Sequence, residues 1–315
     1  MSLSDALDGL RRAARPAGSS AELLAEAEAA GAGVAPLTAA AERIAATVAL
    51  GFHGRRRAGV GETFWQFRPF DEGDGLTDVD WRQSAATDSL YVREQEWEAQ
   101  QTVLVWPDES PSMSYRSSPG VPTKAARARL CALAVAFLLV RGGERIGLVG
   151  VHGAGGTGRV GVQAMAERLA SGSGAPPGLP RLADLPHAAC VVLFSDFLYE
   201  AREIAGLVDA IGTAGARAHL VQVLDPAEES WPFAGRTELV GLAREERLLL
   251  GRAEAVKAAY AQRLEAHRHA IRDLARKADV TFLHHRTDER PERLMMALAA
   301  ALPASHTGPH RWPAP

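Results

Sequence analysis

Residues 101–115 read QTVLVWPDESPSMSY, and the rest of the fold can be built outward from them. Residues 102–106 are β-branched, apolar or aromatic without a helical period. A run that short reads as a buried strand. It then breaks into polar residues. Asp108, Ser110 and Ser112 stand at i, i+2 and i+4, and Pro111 and Ser114 discourage regular structure until a helix begins further on. One carboxylate and two hydroxyls are hard oxygen ligands, and the carboxyl end of a central parallel strand is where open α/β sheets place their sites.

Downstream the pattern alternates between helix and strand. Residues 122–140 carry Ala125, Leu130, Leu133, Ala134, Phe137 and Leu138 near a 3.6 period, with Lys124, Arg127 and Arg129 at the intervening positions; this predicts an amphipathic helix, ended by Gly142 and Gly143. Residues 145–152 read as the next strand. Strand, helix and strand at this spacing form a βαβ unit, which belongs in a parallel sheet. Residues 153–158, GAGGTG, superficially resemble a phosphate loop, but no Lys followed by Ser or Thr stands in register. With residues 159–162 read as a short strand, a hairpin turn at 153–158 is the expectation, followed by a short helix over 162–169 and a loop over 171–180. A second buried strand, 190–194, ends in Ser195 and Asp196. Two strand-end aspartates far apart in sequence meet at one site when their strands are neighbours. The alternation continues with a helix at 200–214, a strand at 217–224, a loop at 225–233, a short hairpin within 239–250, a long helix at 253–278, a strand at 280–284 and a closing helix at 289–302.

The N-terminal third differs. Residues 19–49 are rich in Ala, Leu and Glu and predict two helices, the second starting with Thr38 as its cap. Residues 51–98 are polar, aromatic and Gly-rich with no long helical period. Within them Arg68 has Asp71, Asp74, Asp78 and Asp80 close in sequence, which invites a bidentate ion pair locking an irregular loop. The triplet Arg55, Arg56 and Arg57 reads as a solvated turn or a contact to an acidic partner.

Composition narrows the function classes. The 315 residues are 47% hydrophobic, enough for a sizeable core, and the formal net charge of −3 gives no general pull toward nucleic acid or anionic membrane. The most apolar stretch, 130–140, is roughly half of what spans a bilayer, and the N-terminus lacks an apolar signal-peptide core, so a cytoplasmic location is expected. Two cysteines, Cys131 and Cys190, fit reduced buried thiols. His267 and His269 are two apart on a helix and His284 and His285 adjacent on a strand, so neither pair points two rings at one zinc ion.

Several motifs together resemble a known family. Asp-x-Ser-x-Ser after an apolar strand is similar to the metal-ion-dependent adhesion site of von Willebrand factor A domains, and the form DESPSM at 108–113 resembles a bacterial branch of them, the family called domain of unknown function 58 (DUF58). The same order of motifs holds elsewhere: Gly59 and Gly61; Phe67, Arg68 and Phe70; Gly73 and Asp74; Asp80 and Trp81; Ser84 and Ala85; Ser195 and Asp196; Asp225, Glu228, Pro232 and Phe233. The resemblance implies a three-layer, Rossmann-like α/β fold of the von Willebrand factor A type over 101–302, with a mainly parallel sheet flanked by helices. Ahead of it stand an N-terminal helical segment, 1–50, and an irregular, Gly- and aromatic-rich β extension, 51–100, packed on the main domain; a disordered tail, 303–315, follows. It implies a non-enzymatic, protein-binding module working beside a MoxR-type AAA+ ATPase or its client in the assembly or maturation of protein complexes. Asp108, Ser110, Ser112 and Asp196 would hold Mg2+, with a partner's carboxylate completing the shell. One departure stands out: the threonine such sites take from a later loop has no counterpart in 171–185, where Ser171 and Ser173 are the hydroxyls available to replace it. Two other readings remain open: a metal-dependent hydrolase using Asp108, Glu109 and Asp196, and a scaffold whose metal site is vestigial.

Overall fold

A computed structural model describes residues 33–53, 64–71, 75, 77, 79–85, 89–95, 101–171, 178–182, 185–186, 189–240 and 247–302. The described residues fall into two compact units, one formed by those up to 50 with those from 101 to 302, the other by those within 51–100; the tail expected at 303–315 lies outside the described residues.

The first helix, α1, is Val34–His53. It begins four residues earlier than the capping reading of Thr38 predicts. Pro36 is tolerated in a first turn, where backbone N–H groups have no helical acceptor. Thr38 opens the second turn and donates its hydroxyl back to the Val34 carbonyl at 2.6 Å. Ala41, Ile44, Ala45 and Val48 are buried in the main core. The first of the two predicted helices lies outside the described residues.

In the smaller unit, β1 (Phe64–Pro69) and β2 (Tyr91–Gln95) pair antiparallel, with an irregularity between Phe64 and Gln66. Between them α2 (Trp81–Ser84) is a single turn. The Asp80 carboxylate caps it, accepting from the N–H groups of Arg82 at 3.1 Å and Gln83 at 3.0 Å. Ser84 donates to the Asp80 carbonyl at 2.8 Å and accepts from the Tyr91 N–H at 2.9 Å, which staples the turn to β2. Asp80 therefore serves as a helix cap. The side chains of Arg68, Asp74 and Asp78 lie outside the described residues, as does the arginine triplet.

The main unit is built on β3 (Thr102–Pro107), α3 (Lys124–Arg141), β4 (Arg145–Leu148), β5 (Val151–Gly156), α4 (Gly158–Ala170), β6 (Cys190–Ser195), α5 (Ala201–Thr213), β7 (Arg217–Leu224), α6 (Pro226–Ser230), β8 (Thr237–Val240), β9 (Arg247–Leu250), α7 (Lys257–Lys277), β10 (Thr281–Arg286) and α8 (Pro291–Ala301). Six strands form one sheet in the order β10-β7-β6-β3-β4-β5, with every neighbouring pair parallel except β4 and β5. The result is a mixed α/β fold whose mostly parallel sheet is flanked by helices. Successive residues alternate between its two faces. Val103, Val105, Cys190, Val192 and Phe194 point into one core with α1, α3, α4 and α8. Leu104, Trp106, Val191 and Leu193 point into the other with α5 and α7. Covering both faces explains why these strands are continuously apolar. Both cysteines are free and buried, and burial pushes their thiols up, to about 12 for Cys131 and about 11 for Cys190.

The glycine stretch after β4 departs from its sequence reading. The chain turns at Gly150, with φ of 73°, so 145–152 is the first strand and the turn of a hairpin; β5 runs through the glycines and α4 opens at Gly158. No strand forms at 159–162. The glycines are needed for close backbone approach: a Cβ on Gly155 would stand 2.3 Å from the Ile146 carbonyl oxygen, and one on Gly161 would stand 2.7 Å from the Gly156 carbonyl carbon.

Candidate functional site

The sheet has one topological switch point. From β3 the chain proceeds to β4 and β5 on one side, then to β6, β7 and β10 on the other. The crevice outside the carboxyl ends of β3 and β6 is where open sheets of this kind bind ligands. Asp108 follows β3 and Asp196 follows β6, and the Asp108 N–H continues the ladder onto the Phe194 carbonyl at 2.8 Å. The predicted meeting of the two aspartates is thus a consequence of strand adjacency.

Both carboxylates are buried. Asp108 Oδ1 accepts from the Ser110 N–H at 2.7 Å, and Oδ2 accepts from Ser195 Oγ at 2.6 Å and Tyr199 Oη at 3.0 Å. Asp196 Oδ2 accepts from Ser112 Oγ at 2.7 Å, while Oδ1 accepts from the Leu198 N–H at 3.1 Å. The hydroxyls of Ser110 and Ser112 are 3.1 Å apart. The structure therefore brings Asp108, Ser110, Ser112 and Asp196 into one hydrogen-bonded cluster. Ser171 ends α4, exposed, with its hydroxyl on the Arg168 carbonyl at 3.1 Å; Ser173 lies outside the described residues. Glu109 is partly buried beside the cluster and pairs with Arg129 at 3.2 Å.

A fifth residue changes the character of the site. Lys124, read from the helical period as one of the cations between the apolar positions of α3, is fully buried. Its ammonium donates to Asp196 Oδ2 at 3.0 Å and to Glu228 Oε1 at 2.6 Å. Glu228 belongs to the Asp225–Glu228 motif, whose physical role is a capping box on α6: the Asp225 N–H donates to Glu228 Oε2 at 2.8 Å and the Ala227 N–H to Asp225 Oδ1 at 2.8 Å. Asp225 Oδ2 also accepts from the Ser117 N–H at 2.9 Å, which anchors the loop that follows Ser112. The residues sequence reasoning missed are Lys124 and Tyr199; Ser195 was read as part of the Ser195-Asp196 motif, without its role as a donor to Asp108. A cation just after the capping Thr123 opposes the macrodipole by only about 0.3–1 kcal/mol when solvated, so its position in the sequence did not disclose a buried partner.

Electrostatics follow from this geometry. Burial, then the neighbouring Asp196, push the Asp108 carboxyl above the usual range, against the pull of its hydrogen bonds. Burial would raise Asp196 too, but Lys124 and the Ser112 and Leu198 hydrogen bonds hold it below the usual range. Burial alone would lower Lys124; Asp196 and Glu228 outweigh it, and the ammonium is held above its ordinary value. Tyr199 is pushed up by burial and then by Asp108, so it stays a phenol that donates.

Beneath the cluster a second chain of contacts fixes the Asp196 backbone. Gln222 Nε2 donates to the Asp196 carbonyl at 2.9 Å, Arg268 Nε donates to Gln222 Oε1 at 2.8 Å, and Arg268 also binds Glu229. His284 Nε2 lies 2.9 Å from Glu229 Oε1. His285 faces the opposite side, so the two adjacent rings diverge as expected of a strand.

Hard oxygen donors of this kind suit Mg2+ in type. In the arrangement present they do not fit it: an ion bound to Asp196 Oδ2 would sit against the Lys124 ammonium, which already holds that oxygen at 3.0 Å. Among the described residues no three His, Cys, Asp or Glu side chains are grouped as a metal site would need.

Fold and site together define an α/β domain with a buried cluster of two carboxylates and their hydroxyl donors at the switch point of its sheet. Residues 66–270 match the family model described as "Protein of unknown function DUF58". The match covers well over half of the chain, and the chain belongs to that family. A comparison with curated proteins gave no match. No helix among the described residues is long and apolar enough to cross a membrane.

Proposed function

We propose that this chain is a non-enzymatic, protein-binding module of the von Willebrand factor A type, which meets its partner with the crevice at the carboxyl ends of β3 and β6. The observation that supports this reading best is the convergence of Asp108, Ser110, Ser112 and Asp196 at the switch point, with the carboxylates buried and already engaged by internal donors. Such a cluster is built to hold a loop in a fixed shape. A catalytic carboxylate must instead reach a substrate proton within hydrogen-bond distance. Asp108, only 1% exposed and bonded by Ser110, Ser195 and Tyr199, is poorly placed for the hydrolytic alternative. Glu109 and Ser110, at the rim, are presented to a partner by that scaffold.

The partner we assign is a MoxR-type AAA+ ATPase or its client, in the cytoplasm, during assembly or maturation of a protein complex. The resemblance of the ordered motifs to that branch supports the assignment. The test uses the rim, because substitutions at buried Asp108 or Asp196 would confound binding with stability. The immobilised chain is offered a MoxR-type ATPase from the same source, as wild type and as the Ser110→Trp and Glu109→Arg variants. Capture by the wild type and a loss of at least about tenfold in affinity in either variant, equivalent to ~1.4 kcal/mol, is expected. Equal capture by all three would remove this face from the interaction.

A further inference from the structure

We propose that the Lys124 ammonium is the resident cation of this site, standing where a divalent ion would otherwise bridge the strand-end acids, and that the face operates without a metal. Three observations carry the inference. First, Lys124 is buried without exposed surface and its Nζ lies 3.0 Å from Asp196 and 2.6 Å from Glu228. An ammonium is found so deep in a protein only when carboxylates compensate it. Second, the backbone that carries the lysine is anchored: it opens α3 directly after the Thr123 cap and its backbone N–H donates to the Tyr115 carbonyl at 3.2 Å, while its Nζ lies 6.0 Å from the centroid of the Tyr115 ring. Third, its second carboxylate is itself fixed, since Glu228 is locked into the capping box of α6. The cation is thus supplied by the fold, with its ligands drawn from β6 and from the motif after β7.

A dication at Asp196 would lie within a few ångströms of this ammonium in a site screened from water, and the like charges exclude each other. The inference concerns the cation alone and stands whichever partner the face binds; its test contains no partner, so its failure is separable from failure of the binding assignment.

The experiment titrates the full-length chain with Mn2+ as probe, followed by calorimetry and by thermal unfolding, for wild type, Lys124→Gln, Lys124→Ala and Asp196→Asn. The wild type is expected to show no saturable Mn2+ binding in the millimolar range and no Mn2+-dependent rise in Tm. Lys124→Ala, and Lys124→Gln if the smaller side chain prevents folding, are expected to bind one Mn2+ at least about tenfold more tightly than wild type and to be stabilised by it through mass action. Saturable one-to-one binding by the wild type that Asp196→Asn abolishes would overturn the proposal. So would Lys124 variants that fold and ignore Mn2+.

Discussion

Replacing Lys124 with methionine keeps most of the side-chain volume and removes the charge, and the structure allows the consequence to be worked through. With an effective dielectric of about 20, the attractions at 2.6 Å to Glu228 and 3.0 Å to Asp196 come to about 6 kcal/mol each. Removing three ions from water costs several kcal/mol apiece and consumes most of that gain. The intact triad therefore adds little net stability, but breaking it strands the Asp196 charge in the interior beside Glu228, whose carboxyl burial already pushes up to about 7 and which then takes up a proton, at a cost of about 3–5 kcal/mol. For a domain of this size that is a fall in Tm on the order of 10 °C. Neutralising the whole triad, with Lys124→Met, Asp196→Asn and Glu228→Gln together, is expected to recover more than half of the loss, since no charge is left unpaired. Urea unfolding of the three forms, with m-values compared to confirm like transitions, measures it. A single variant less than about 1 kcal/mol below wild type would mean that the ammonium does not compensate buried charge. A triple variant no better than the single one would trace the loss to packing.

Two further outcomes follow from the sheet. Gly155→Ala places a Cβ 2.3 Å from the Ile146 carbonyl oxygen at a φ of +152°, so a loss of at least about 1–3 kcal/mol is expected in urea unfolding; wild-type stability would refute the backbone approach of β5 to β4. His219 and His285 are buried neutral, each lowered by burial to about 4, with Arg217 adding to the effect at His219 and Arg127 at His285. Because the unfolded chain binds these protons near pH 6.5 and the folded chain does not, their stabilisation is complete above pH 6.5 and is lost as pH falls toward 4, by up to about 3 kcal/mol per ring. His219→Leu should flatten that slope in pH-dependent unfolding, and an unchanged slope would show that its ring titrates freely.

The parts of this fold legible in the sequence are those encoded locally. Apolar runs broken by polar residues mark 102–106 and 190–194, each one residue short of the observed strand, and the strand-end acids follow because a strand covered on both faces permits polar residues only where it ends. Two features were not legible. Glycines carry no side-chain pattern, so the hairpin around Gly150, where Gly155 meets the Ile146 backbone, and the start of α4, where Gly161 meets the Gly156 backbone, depend on close approaches that periodicity does not reveal. Lys124 fits the polar positions of an amphipathic helix, and its partners lie 72 and 104 residues away. The Asp225 and Glu228 pair was visible as a motif, but its two functions, capping α6 and holding the lysine, become apparent only in three dimensions.

That pairing bears on why the site has its present form. A buried ion triad is a poor source of stability compared with apolar packing, so its presence calls for another account. The contacts form one continuous path: Ser195 and Tyr199 hold Asp108, Asp108 holds the Ser110 backbone, Ser110 meets Ser112, Ser112 holds Asp196, Lys124 links Asp196 to Glu228, Glu228 holds Asp225, and Asp225 returns to the Ser117 backbone. The segment from 108 to 117 is thus fixed at both ends by residues at or just beyond the carboxyl ends of two other strands, β6 and β7. Fully satisfied polar networks specify one geometry where apolar contacts would allow several. A rim that must present Glu109 and Ser110 in a constant orientation gains from that restriction, and a lysine carried by the chain provides it independently of any ion in solution.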